Sequence, residues 1–104
     1  MSAQYLYHFG PGQRADLATN PDAWTAEDEQ IGADHFARLK QATTDGILIL
    51  AGRSQDGIGP AIVIFEAETD DEARRFMEDD PFVSEGLFTA TLHPFVAALM
   101  RSGR

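Results

Sequence analysis

The sequence predicts an α+β sandwich in which a four-stranded antiparallel sheet carries two helices on one face. Two stretches combine a capping residue with the apolar period of a helix, and each lies between short strand-like runs. The resulting order is β-α-β-β-α-β, which is typical of a ferredoxin-like sandwich. The length of 104 residues suits a single domain over residues 1–104.

Four segments have the character of strands. Residues 3–9 alternate, which places their aromatic side chains on one face, and the glycines and proline that follow end the strand. Residues 47–51 and 61–67 are continuous apolar runs on either side of a glycine-rich loop, so they predict buried strands joined as an antiparallel hairpin. Residues 87–93 predict the last strand, which Pro94 ends.

Two segments carry the start signals of helices. Thr25 can cap a helix that runs to about Thr43, and acidic residues in its first turn suit the positive end of the helix dipole. Thr69 and Glu72 have the spacing of a capping box for the second helix. Pro81 is expected to end that helix, because the residue before a proline disfavours the helical conformation.

The remaining segments have weaker signals. Residues 13–24 predict a loop with a helical turn near residues 15–18 and a turn at residues 20–22. A loop of this length is often functional or mobile. Residues 95–100 are expected to form a short C-terminal turn or helix, and residues 102–104 a frayed end.

Both faces of the predicted sheet are apolar. Leu6 opposes the tyrosines beside it in the first strand, and Ile62 and Ile64 oppose Val63 and Phe65 in the third. A sheet with one solvated face would alternate more cleanly between apolar and polar residues. We therefore expect a second copy of the chain to cover the face away from the helices, in a homodimer with twofold symmetry.

Composition excludes several classes of function. A formal net charge of −9 argues against binding to nucleic acid or to anionic membranes, and no apolar run approaches the ~20 residues of a membrane helix. Solubility explains the acidity, although recruitment of a cationic ligand is an alternative. The chain has no cysteine and no signal-peptide pattern, which fits a cytoplasmic protein and excludes disulfides and thiolate metal sites.

His35 and Asp80 are the candidate catalytic residues. His35 lies in the middle of the apolar face of the first helix, and its titration range suits a general acid or base. Asp80 lies on the inner arc of the second helix, whereas Asp79 turns outward. A buried carboxylate needs a partner, and His35 can supply it. A purely structural His–Asp hydrogen bond, or a histidine that merely fills the core, remains an alternative.

Short motifs follow one another along the chain in the order Asp34-His35-Phe36-Ala37-Arg38-Leu39, Asp45-Gly46 with Leu50-Ala51-Gly52, Asp80-Pro81-Phe82-Val83, Gly86-Leu87-Phe88 and His93-Pro94-Phe95. As an ordered set over residues 5–95, they resemble the YCII-related family. The resemblance implies a ferredoxin-like fold that dimerises through its sheets into a dimeric α/β barrel. It also implies that His35 and Asp80 form the proposed active-site pair.

What the resemblance implies about substrates is limited. Most members of the family have no assigned substrate, and a few relatives are lyase-like enzymes of ring compounds, such as a dehydrochlorinase of chlorinated hydroxyquinols. Where the family tends to have Ala-Gly-Pro after the second strand, this chain has Arg53 after Ala51 and Gly52. A cation at that position changes the charge of the pocket.

Further residues are candidates for binding. Arg53 and Ser54 lie on the glycine-rich loop and can form a clamp for a carboxylate or phenolate, although a plain surface loop is the alternative. Phe82, beside Asp80, is expected to line the substrate site. His8 and His93 are expected at opposite ends of the sheet, which argues against a metal site within one subunit. The tyrosines of the first strand are expected to be core or interface residues.

These observations favour a cofactor-free lyase or isomerase with no metal. His35 would move a proton at an activated carbon, Asp80 would orient it, and Arg53 would hold a substrate anion. The competing hypothesis is a non-catalytic dimeric module that binds a small molecule. A heme or oxygenase role, as in other dimeric α/β barrels, is a third.

Overall fold

The computed structural model describes residues 2–101. Strands and helices follow one another as β1 (Ala3–Pro11), α1 (Ala26–Thr44), β2 (Leu48–Arg53), β3 (Ala61–Ala67), α2 (Asp70–Glu78), α3 (Pro81–Ser84) and β4 (Phe88–Phe95). Two 3-10 turns, Ala15–Ala18 and Pro21–Ala23, lie between β1 and α1, where the sequence predicted a loop with a helical turn. Within residues 2–101, no helix is both long enough and apolar enough to cross a membrane.

The four strands form one antiparallel sheet in the order β2-β3-β1-β4. Tyr7 is paired with Val63 of β3 and with Leu92 of β4, so these three side chains share the face that the helices cover. The predicted ferredoxin-like α+β fold is therefore confirmed. Gly86, with φ +78°, makes the turn into β4 in a conformation that side chains rarely adopt.

Both predicted helix starts are present, with one difference. The Thr25 hydroxyl accepts from the Asp28 amide, and the Asp28 carboxylate accepts in return from the Thr25 amide, which completes a capping box. The Thr69 hydroxyl accepts from the Glu72 amide in the same way. The Glu72 carboxylate, however, accepts from the amide of Glu68, one residue before the position that the capping box predicted.

The core lies between the sheet and the two main helices. It consists of the buried side chains Tyr5, Tyr7, Leu39, Val63, Phe65, Ala73 and Met77. A second cluster of Leu17, Ile31 and Leu87 fixes the segment between β1 and α1. Trp24 donates its indole N–H to the Leu17 carbonyl at 2.8 Å, so this long connection is folded onto the domain.

The ends of the chain differ from the prediction. Pro94 does not end β4, because it pairs with Tyr5 and the strand continues to Phe95. An edge strand tolerates a proline, since it has a side with no partner for the missing N–H. Residues 96–101 form no helix; instead, the Ala97 amide donates to the Gln4 side chain at 2.7 Å. The predicted frayed segment, residues 102–104, lies outside the described residues.

The prediction that His8 and His93 lie at opposite ends of the sheet is wrong. Their Nε2 atoms are 3.3 Å apart on the face away from the helices. Register explains the error: His93 pairs with Leu6 and His8 with Thr91, and both strands extend past the ends that the sequence predicted. In residues 2–101, no group of three or more His, Cys, Asp or Glu side chains could hold a metal ion.

The face of the sheet away from the helices is apolar, as the sequence indicated. Leu6, Ile62 and Ile64 are half-buried there, and Leu50 and Phe95 are exposed by 49% and 39%. A second apolar layer of this kind is unusual for a sheet face in contact with water.

Candidate functional site

Asp80 is placed by a short helix of its own. The second helix ends at Glu78, and Asp80 has an extended backbone (φ −61°, ψ 125°) as the N-cap of α3. The prediction that Pro81 follows the last residue of the second helix is therefore wrong: Pro81 begins α3, at a position where its missing N–H costs nothing. The change leaves Asp80 pointing inward, whereas Asp79 is exposed.

The Asp80 carboxylate is fully buried and accepts hydrogen bonds from three elements. His35 Nδ1 lies 2.7 Å from Oδ1, and the Phe82 amide donates to the same oxygen at 3.0 Å. The Tyr7 hydroxyl donates to Oδ2 at 2.7 Å. A buried carboxylate is tolerated when it has such donors, and here they come from α1, α3 and β1.

Aromatic rings enclose the His35 imidazole. The Phe82 ring stacks on it with a centroid separation of 4.0 Å, and the Phe9 ring lies nearly perpendicular to it at 5.7 Å. The His35 side chain is 15% exposed, whereas that of Asp80 is fully buried. The imidazole therefore stands between the buried carboxylate and solvent.

The Tyr7 hydroxyl is held in its protonated form. Burial raises the pKa of Tyr7 well above its usual range, and the charge and hydrogen bond of Asp80 raise it further. The guanidinium of Arg38 acts in the opposite direction. Tyr7 is consequently a fixed hydrogen-bond donor to Asp80 at every ordinary pH.

Arg38 is the cation beside this network. It follows His35 by three positions on α1, and its guanidinium carbon lies 4.4 Å from the centre of the Phe76 ring. Its Nη1 atom is buried and has no hydrogen-bond partner among residues 2–101. Sequence reasoning missed Arg38 and the contact of Tyr7. The spacing from His35 was a usable signal for Arg38, because residues three apart on a helix are neighbours.

The arrangement defines which imidazole nitrogen is free. Because Asp80 accepts the hydrogen bond at Nδ1, the neutral ring carries its proton there, and Nε2 keeps a lone pair. An ionised carboxylate at Nδ1 also stabilises the ring after Nε2 gains a proton. The pair therefore has the geometry of a general base with a positioning carboxylate.

Phe82 is the one predicted binding residue that contacts the pair. Arg53 is exposed at the end of β2, and the Ser54 hydroxyl donates to the Pro60 carbonyl at 3.2 Å. Within residues 2–101, neither side chain hydrogen-bonds to His35 or Asp80. Arg53 pairs with Ala61, which puts its side chain on the helix side of the sheet, and β3 lies between its strand and β1. A clamp formed by Arg53 and Ser54 stays a prediction.

Two surface hollows lie away from the pair. One of about 370 Å³ is bordered by residues that include Ile47 and Phe76, and one of about 580 Å³ by residues that include Met77 and Phe88. His35 and Asp80 line neither hollow. Solvent reaches the pair at the exposed part of His35.

Comparison with known families gives a clear assignment. The YCII-related domain matches residues 14–92, which is more than half of the chain. The chain belongs to the YCII-related family. The match includes both His35 and Asp80, and it agrees with the resemblance that the ordered motifs indicated. None of the curated proteins searched matches the chain.

A solved structure with the same fold is a 5-chloro-2-hydroxyhydroquinone dehydrochlorinase from Burkholderia phenoliruptrix AC1100, in complex with 2,5-dihydroxybenzoquinone. The two proteins are 22% identical, with a TM-score of 0.61. The similarity covers 89% of this chain and 93% of that one. At this identity, the similarity establishes the fold of this YCII-related chain.

Proposed function

We propose that this YCII-related protein is a cofactor-free lyase or isomerase that acts on a small phenolic or carboxylate compound. His35 is the catalytic acid and base, and Asp80 is its positioning residue. The observation that carries the proposal is the 2.7 Å contact between His35 Nδ1 and Asp80 Oδ1, in which the imidazole alone reaches solvent. A buried carboxylate behind an imidazole that reaches solvent suits general base catalysis.

The proposed reaction begins with a proton on a carbon beside a carbonyl group, which a phenolic ring supplies in its keto tautomer. Nε2 of His35 takes this proton, and the C–H electron pair moves toward the carbonyl oxygen to form an enolate. In an isomerisation, the imidazolium returns the proton to another atom. In an elimination, the electron pair expels a leaving group from the neighbouring carbon, and the imidazolium gives its proton to that group or to water. Asp80 compensates the positive imidazole in either case.

The fold of the dehydrochlorinase supports the choice of a ring compound. That protein acts on 5-chloro-2-hydroxyhydroquinone, and its complex contains a dihydroxybenzoquinone. In the present chain, Phe82 would form an apolar wall of the site, because it already stacks on His35. Arg53 and Ser54 would be outer contacts, since β3 separates β2 from β1 by about 10 Å of backbone.

A homodimer is part of the proposal. A second copy would cover the apolar face that includes Leu6, Ile62 and Ile64, because nothing within residues 2–101 covers it. Sedimentation velocity should give a dimer for the natural chain and a monomer for Ile64→Glu, which places a charge at the centre of that face. A natural chain that sediments as a monomer contradicts this part.

A cytoplasmic location, suggested by the absence of cysteine, completes the proposal.

One observation favours a second candidate function, a non-catalytic module that binds a small molecule. Asp80 is buried with three donors, and this network by itself joins β1, α1 and α3. Such a network can exist to specify the fold. In an enzyme, the loss of His35 removes turnover. In a binding module, it removes only a hydrogen bond of the Asp80 network.

The deciding experiment is a turnover assay with a panel of phenols and carboxylates that includes 5-chloro-2-hydroxyhydroquinone. Chloride release and exchange of carbon-bound hydrogen with deuterium from heavy water are the readouts. His35→Gln should lower the rate by about 10²–10⁴-fold, the range for loss of a general base. Lys40→Gln, an exposed residue on the same helix, is the control and should retain the rate. Full activity in His35→Gln, or no reaction with any compound, favours the non-catalytic module.

A further inference from the structure

We propose that Arg38 is the anion-binding residue of the site, and that it holds an oxygen of a planar organic anion beside Nε2 of His35. The inference rests on the proposed function and gives it a substrate class: carboxylates and phenolates that are charged at neutral pH. It assigns the inner contact to Arg38 rather than to Arg53, which lies at the sheet edge.

The first reason for assigning anion binding to Arg38 is its position beside His35. His35 and Arg38 are three residues apart on α1, so their side chains leave the same side of the helix. The guanidinium lies over the Phe76 ring at 4.4 Å, and it acts on the Tyr7 hydroxyl through its charge and through a side-chain hydrogen bond. Arg38 therefore lies beside the same hydrogen-bond network of Tyr7, Asp80 and His35 as the imidazole. A ligand that contacts His35 is within reach of this cation.

The second reason is that Arg38 has an N–H group without an acceptor in the part of the chain that the structure describes. A guanidinium has five N–H donors, and Nη1 of Arg38 is buried with no acceptor among residues 2–101. Arg14 shows the contrast: its Nη2 donates to Asp28 at 2.6 Å. Asp80 does not fill this role, because the hydrogen bonds described for its carboxylate come from His35, Phe82 and Tyr7. A ligand oxygen would supply the missing acceptor.

The third reason is that the Arg38 side chain is weakly anchored. No carboxylate anchors it among residues 2–101, and the side chain as a whole is partly exposed. Its contact with the Phe76 face is non-directional compared with a bidentate ion pair. The guanidinium can thus turn its shielded N–H groups toward an incoming anion while it stays on the ring.

The negative charge of the chain favours a local cation at any site that binds an anion. With a formal net charge of −9, the field around the protein repels anions. A cation beside His35 would offset this repulsion for a bound carboxylate or phenolate. A planar guanidinium matches a planar anion with two parallel hydrogen bonds, which an ammonium group cannot do.

Binding of benzoate, measured by calorimetry and by chemical-shift titration, tests the assignment. Benzoate should bind the natural chain, and Arg38→Gln should weaken binding by about tenfold or more, the effect of one charge-assisted contact. Arg38→Lys should recover part of the affinity. Arg75→Gln, an exposed arginine on α2, is the matched control and should bind as the natural chain does. Neutral benzamide should bind more weakly and should not distinguish the variants.

The outcomes separate this inference from the proposed function. If His35→Gln binds benzoate normally but has lost turnover, both stand. If benzoate binds the natural chain and Arg38→Gln equally, or binds neither, the assignment of Arg38 is overturned whatever the turnover assay gives. A loss in Arg53→Gln with none in Arg38→Gln also overturns it. If Arg38→Gln fails to fold, Arg38→Lys and Arg38→Met replace it, with the affinity order of arginine, lysine and methionine as the expected result.

Discussion

His35 Nδ1 lies 2.7 Å from Asp80 Oδ1, although 45 positions separate the two residues in the chain. The contact joins the middle of α1 to the N-cap of α3, and Tyr7 of β1 donates to the other oxygen of the same carboxylate. Three elements of the fold therefore meet at one buried charge. Stability and the proposed chemistry depend on the same atoms.

Removal of the Tyr7 hydroxyl should destabilise the protein with little change in shape. Tyr7→Phe deletes a hydrogen bond to a buried charge, so the free energy of unfolding should fall by about 1.5–3 kcal/mol in urea titration. Tyr5→Phe is the matched control, because the Tyr5 hydroxyl donates to Asp70 at a partly buried position. Equal losses in the two variants would contradict the special role of the Asp80 network.

Loss of the Asp80 charge should cost more than loss of the charge next to it. Asp80→Asn removes a carboxylate with three donors, and we expect about 3 kcal/mol of destabilisation. Asp79→Asn changes an exposed carboxylate and should stay within about 0.5 kcal/mol of the natural chain. Denaturant unfolding of both variants checks this, and similar values for the two would refute the burial argument.

Acid should weaken the protein through Asp28. The Arg14 guanidinium and the Thr25 amide lower the pKa of Asp28 to about 2, below its value of about 3.9 in an unfolded chain. A lowered folded pKa stabilises above the unfolded pKa, and this contribution is lost as the pH falls from about 4 to about 2. Arg14→Gln should therefore reduce the drop in urea midpoint over this window. An unchanged drop would show that the pair is not linked to folding.

Gly12 should not tolerate a side chain. A Cβ at Gly12 would lie 2.4 Å from the Leu87 carbonyl oxygen, so Gly12→Ala requires a shift of backbone before β4. Overpacking of this kind typically costs about 1–3 kcal/mol. Gly52→Ala is the control, because nothing lies within 4 Å of its Cβ position. Thermal unfolding of both variants checks the difference; equal melting temperatures would mean that the close approach is not rigid.

Much of the fold could be predicted because local signals agreed with tertiary packing. The caps at Thr25 and Thr69 fixed both helix starts, and the apolar run at Ala61–Ala67 matched β3 at both ends. The inward position of Asp80 was predicted from helical spacing to Ala73 and Phe76, but the structure gives it another cause, the extended N-cap of α3. The helix starts are set by contacts within a few residues, which a sequence records directly.

The errors arose where pairing between distant segments decides the outcome. Pro94 stays in β4 because the ladder with β1 continues past it, and the sequence does not encode that register. The same ladder brings His8 and His93 together. Arg38 was missed because its significance depends on Tyr7 and Phe76, which come from other elements. The sequence around Arg38 does not show that its Nη1 atom lacks a hydrogen-bond acceptor among the residues that the structure describes.

The central claim is that Asp80 holds His35 with Nε2 free to take a proton, and the tautomer of the His35 ring tests it directly. Long-range ¹H–¹⁵N correlation spectra of the imidazole, recorded at a pH where the ring is neutral, identify which nitrogen carries the proton. The account predicts a protonated Nδ1 and a bare Nε2 in the natural chain, with this preference reduced in Asp80→Asn. A neutral ring with its proton on Nε2 would contradict the account, because no lone pair would then face the substrate.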